Sequence, residues 1–191
     1  ALACLLLGGG GLALGLKTAC VPLWGAGLAC LLQVGPSLSL WSRVRDGLGN
    51  RGLDRERLTL KTVSLLQRGL ALGLVIAAGS AWMGGMGIRA TAPSLVGFGA
   101  LTVVCVGSLW LAKRRFRTAH PSLGQDAARI RTLLELSALS LAGLLAVPLA
   151  GWVEPLVGLA MALRLFAEGR VVARGTTVQL GGGCGPRCSC G

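Results

Sequence analysis

Four long stretches of this chain carry no charged residue: 18–42, 69–88, 90–112 and 136–153. Basic residues, mostly arginine, lie between and beside them. A charged side chain at the centre of a bilayer costs about 3 kcal/mol or more. Backbone in hydrocarbon must satisfy its own hydrogen bonds, and about 20 apolar residues in a helix cross it. The pattern therefore predicts an all-α integral membrane helical bundle, with the bilayer as its solvent.

Composition supports one membrane domain and no sizeable soluble one. Of 191 residues, 53% are hydrophobic and only 14% charged, and the mean hydropathy is +0.70. The 31 glycines allow helix backbones to approach closely. Gly11-x-x-x-Gly15 and Gly69-x-x-x-Gly73 both have the small-residue spacing of packed transmembrane helices. The formal net charge of +12 does not point to nucleic acid. The basic residues flank the apolar runs, no aromatic-rich polar module accompanies them, and the lipid bilayer with its anionic headgroups is the expected partner.

Six helices are expected, at about 2–17, 20–42, 64–87, 94–112, 126–149 and 152–172. The connections around Lys17, around Arg89 and at 149–153 are poor in charge, whereas 43–61, 113–117 and the tail are basic. That alternation fits about six transmembrane helices with both termini and the basic loops cytoplasmic, in a multi-pass protein of the cell membrane. Residues 1–175 form the membrane domain, and 176–191 a flexible Gly/Cys-rich cytoplasmic tail. Residues 1–16 carry no charge and lack the basic segment of a signal peptide, and 1–17 is read as a first helix. Trp24, Trp41, Trp82, Trp110 and Trp152 fall near expected helix ends, where an indole sits well among headgroups.

Few residues offer chemistry. Asp126, Arg129, Arg131 and Glu135 stand at the start of the fifth expected helix. Arg131 and Glu135 share a face and make either a structural ion pair or part of a cation or proton relay. Arg164 and Glu168 have the same spacing in the sixth. Glu154 is read as a carboxylate favoured by its own helix N-terminus. His120 stands alone in a loop, and no nucleophile–base pair or phosphate loop is visible, so no enzymatic activity is expected. Cys184, Cys188 and Cys190 lie within seven residues among flexible glycines. Three thiolates brought together suit Zn, Cd or Cu ions. Incidental cysteines, lipidation and redox chemistry are the alternative readings. Cys4, Cys20, Cys30 and Cys105 lie in apolar helices, where thiols usually pack as small hydrophobes.

The second half resembles a known family. Ser122-Leu-Gly-Gln-Asp126-Ala127, a long apolar helix, Gly151-Trp152-Val153-Glu154-Pro155-Leu156, and a small-residue helix to Glu168-Gly169-Arg170 resemble the last two helices of the cation diffusion facilitator superfamily. The short branch without a cytoplasmic domain looks closer still, and its members often end in a cysteine cluster. Pro93 to Gly97 with Lys113-Arg114-Arg115, and Trp41-Ser42-Arg43, are similar to further parts of that branch. The resemblance implies transport or efflux of a divalent metal cation of the Zn, Cd or Co type, proton antiport and a homodimer. It also implies ligands that this chain lacks. The expected ligand pair on helix five falls on Arg129 and Leu133, and the nearest candidates on helix two are Gly27, Leu28, Leu32 and Gln33. Asp126 and Glu154 match motif positions that are not the family's ligands. Two readings stay open: a heavy-metal transporter fed by tail thiols, or a non-transporting scaffold or regulatory subunit that keeps the fold. A third is a polar site for an anion or small metabolite at Asp126, Arg131 and Glu135.

Overall fold

The computed structural model describes residues 2–45, 53–84, 93–115 and 121–181, with side chains from 58 in the second segment, from 126 to 173 in the last, and without those of 43 and 44. The regular structure is helical: α1 (Leu2–Thr18), α2 (Val21–Leu32), α3 (Val34–Arg45), α4 (Leu53–Met83), α5 (Pro93–Arg114), α6 (Pro121–Ala146) and α7 (Val153–Gly181). Among the described residues there is no strand. Three stretches are long and apolar enough to cross a membrane: Val21–Ser42, Leu58–Met83 and Pro93–Arg114. The two of 22 residues correspond to about 33 Å of helix, against a hydrocarbon core of about 30 Å. Helix α1 is apolar but has 17 residues. Helices α6 and α7 are long enough at 26 and 29 residues but carry internal charges.

The second expected helix is broken once, at Gln33, by local chemistry. Pro36 has no N–H to give to the carbonyl of Leu32 and its ring crowds that turn. Gln33 accordingly has ψ near −13°, and its N–H bonds Cys30 at 3.2 Å. The bend leaves the Gln33 side chain buried in the bundle. Helix α4 begins at Leu53, eleven residues before the expected 64, because 53–63 is rich in good helix formers despite its charges.

The α1–α2 turn closes tightly. Cys20 N–H bonds the Gly15 carbonyl at 2.9 Å and Ala19 N–H the Leu16 carbonyl at 3.3 Å, a Schellman cap with Ala19 at φ +51°. A left-handed alanine carries a strain of about 1 kcal/mol, so Ala19→Gly is expected to raise unfolding stability by about that amount. Thermal melting in detergent checks this; an unchanged or lower melting temperature would contradict the cap.

Three antiparallel helix pairs make the bundle: α1 with α2, α4 with α7, and α5 with α6. Helix α2 joins them by also packing on α4, α6 and α7. A Cβ on Gly27 would lie 2.9 Å from the Gly8 carbonyl oxygen, so the α1 and α2 backbones nearly touch. Gly11 and Gly15 form the other side of this contact, as their spacing predicts. Gly69 and Gly73 share that spacing yet have nothing within 4 Å, and they face outward.

Among the described residues the core is mainly hydrophobic but also encloses polar groups, and large apolar side chains cover much of the exterior. Gln33, Ser64, Gln67, Thr102, Asp126, Thr132, Ser137, Ser140 and Glu168 are buried, while Ile76, Val104 and Leu163 are 72%, 67% and 64% exposed. An apolar exterior, with polar groups enclosed in the core, suits lipid rather than water outside. Trp41, Trp82 and Trp152 are exposed, whereas Trp24 and Trp110 pack partly against the core. The Arg45 and Arg114 guanidiniums stack over Trp41 and Trp110 at 5.9 and 5.4 Å.

Candidate functional site at one end of the bundle

Antiparallel order brings Lys113 and Asp126 together at one end, while Glu135 and Arg164 pair nearer the middle of the bundle. Ser64 of α4 meets Gly169 of α7, Lys113 of α5 meets Asp126 of α6, and Glu135 of α6 meets Arg164 of α7. The opposite end holds the α1–α2 turn, the end of α4 and residues 147–152 between α6 and α7. Seven acids occur in the chain, and the side chains of four are described: Asp126, Glu135, Glu154 and Glu168. Asp126 and Glu168 lie toward the basic end, Glu135 near the middle and Glu154 at the opposite end.

Asp126 is the most enclosed ion pair partner. Its side chain is 6% exposed, and one carboxylate oxygen takes the Lys113 ammonium. The other accepts a hydrogen bond from Gln33 Nε2 at 3.4 Å. Three helices thus meet on one carboxylate: α5, α6 and the α2–α3 junction. Glu135 lies further along α6. Arg131 Nε donates to its Oε1 at 3.1 Å, the i,i+4 pair that the spacing predicts. Arg164 donates to Oε2 at 2.6 Å, so this arginine turns to α6. Its sequence neighbour Glu168 is instead buried against Thr132, in the field of Arg129 and Arg164. The Arg131–Glu135 pair is a third or more exposed on both sides, so it is worth only about 0.5 kcal/mol.

This arrangement holds charge in place more readily than it opens to a ligand. Each carboxylate at the basic end faces at least one cation. Leu133, one of the two positions where the resemblance expects a ligand, is a core residue at 5% exposure. Gly27 is occupied by the backbone contact with α1, and Gln33 points to Asp126. Among the described residues, no group of three or more His, Cys, Asp or Glu side chains could hold a metal ion. Cys184, Cys188, Cys190 and His120 lie outside the described residues. Cys4, Cys20 and Cys30 are buried, and Cys105 is half-buried.

Glu154 has a role that sequence spacing did not show. It begins α7, but its Oε1 also accepts the Val21 N–H at 3.0 Å, across 133 residues. Helix α2 starts with Cys20, which makes no side-chain cap bond, and with Pro22 in its first turn. The carboxylate therefore satisfies an otherwise open donor and faces the positive end of a second helix dipole. Glu154→Ala is expected to cost about 1 kcal/mol in thermal stability, with Glu154→Gln losing less. Equal melting temperatures for all three proteins would contradict that cap.

Comparison of the chain with protein-family models, with curated proteins and with solved structures returned no match.

Proposed function

We propose that the chain is a six-span membrane protein, with both termini cytoplasmic, that moves heavy-metal cations of the Zn, Cd or Co type outward. On this reading the thiols of Cys184, Cys188 and Cys190 collect the ion on the cytoplasmic side. The observation that carries the reading is the junction of α2 with α6. The resemblance to cation diffusion facilitators places the transport path between these two helices, and here they meet through Gln33 and Asp126. The α1 start and α7 end also lie toward the same basic end, as an even number of crossings requires. Six spans need the ions of α6 and α7 to be neutralised by partners, and the pairing of Glu135 with Arg164 supports that.

A second reading is favoured by the same ion pairs. With Asp126 held by Lys113 and Glu135 by two arginines, the fold would serve as a membrane scaffold or regulatory subunit without transport. Complementation separates the two. A metal-sensitive strain carrying the wild-type chain is expected to regain growth in zinc or cadmium, and the triple variant Cys184→Ser, Cys188→Ser, Cys190→Ser to lose that gain. Absence of rescue by a protein present in the membrane would favour the scaffold.

A further inference from the structure

Between α1, α2, α5 and α6 lies a small cavity of about 10 Å³. That is about the space one water molecule requires. Four polar side chains line it: Cys30, Thr102, Ser137 and Ser140. All four are buried, at 1%, 7%, 3% and 3% exposure. Cys30 and Thr102 each fall near the middle of their apolar spans, Val21–Ser42 and Pro93–Arg114.

The hydrogen bonding of these groups defines what fits. Ser137 Oγ spends its proton on the Leu133 carbonyl at 2.8 Å, and Thr102 Oγ1 on the Phe98 carbonyl at 2.9 Å. Both oxygens keep lone pairs and no proton to offer. Ser140 Oγ is buried with no partner at all. An unpaired hydroxyl in an apolar bundle is unfavourable. The complementary occupant must donate to two acceptors and accept from one hydroxyl, within a space of one small molecule. No carboxylate lines the cavity to neutralise a cation, and four polar atoms do not suit a dry void.

We propose that this cavity is a binding site for a single internal water molecule, held by Ser140, Ser137 and Thr102 beside the Cys30 thiol. Cys30 is one helical turn from Gln33, whereas Ser137 and Ser140 lie roughly three to four turns along α6 from Asp126, so the hydrated position sits deeper in the bundle than the Gln33–Asp126 contact. It does not depend on what the protein carries.

X-ray radiolytic footprinting of the full chain in lipid nanodiscs tests this, because radicals formed from bound water oxidise the sulfur next to it. Cys4 is the internal reference: it is buried at 5% but does not line the cavity. In the wild type, Cys30 is expected to oxidise several-fold faster than Cys4. Ser140→Val, which removes the hydroxyl and fills the space, should bring the two rates together. Ser140→Ala keeps the space and deletes the orphaned hydroxyl, so it carries the test if the valine variant does not fold; it should lower the ratio too. Equal rates in the wild type, or a ratio unchanged in the folded variants, would overturn the site.

Discussion

Gly27→Ala is expected to lower the unfolding stability of the bundle by about 3 kcal/mol, the upper end of the usual overpacking cost. The added methyl would lie 2.5 Å from the Leu12 nitrogen and 2.9 Å from both the Gly11 carbonyl carbon and the Gly8 carbonyl oxygen. All three neighbours are backbone atoms, so no rotamer change relieves the clash. Helices α1 and α2 must separate, and with them the contacts that α2 makes to α4, α6 and α7. Gly69→Ala and Gly73→Ala are the matched comparison, because nothing lies within 4 Å of either position. Each should leave stability unchanged or raise it by up to about 1 kcal/mol, since alanine favours a helix interior over glycine. Thermal unfolding followed by circular dichroism in one detergent compares all three. A Gly27→Ala protein as stable as the Gly69→Ala protein would remove α1 from its place on α2.

Lys113→Met is expected to cost about 3 kcal/mol, at the lower end of the range for breaking an enclosed ion pair because the lysine is itself 35% exposed. The substitution leaves the Asp126 carboxylate, 6% exposed, with Gln33 as its remaining neutral partner. Asp126→Asn is expected to cost less, since the freed ammonium keeps its access to water. The informative protein is the double variant Lys113→Met, Asp126→Asn. Its amide needs no counter-charge and still accepts from Gln33, so most of the lost stability should return. Additive losses in the double variant would show that Lys113 and Asp126 act independently.

Contacts between near neighbours in sequence were legible, and those set by tertiary packing were not. Helix α5 matches its expected 94–112 closely at Pro93–Arg114, because an uninterrupted apolar run ends in two basic residues. The Arg131–Glu135 pair follows from its spacing alone. Arg164–Glu168 has the same spacing, yet Arg164 turns to Glu135 on α6 and Glu168 packs against Thr132. The two glycine motifs are identical in spacing, but one lies in a helix contact and the other faces outward. Spacing gives a face and not a partner. Asp126 was visible as an ionisable residue at the start of an apolar helix, but Lys113 reads as part of a basic loop until α5 folds back on α6. The break at Gln33 had a local sign, Pro36, inside a run whose hydropathy concealed it.

Metal flux into liposomes containing the purified full chain tests the transport reading most directly. Zn²⁺, Cd²⁺ and Co²⁺ are each supplied under an imposed pH gradient, alongside protein-free liposomes. The account predicts saturable uptake of at least one ion that collapses with the gradient and weakens when Cys184, Cys188 and Cys190 are serine. Folded protein that moves none of the three ions above the protein-free rate would contradict transport and leave the ion-paired bundle as a membrane scaffold.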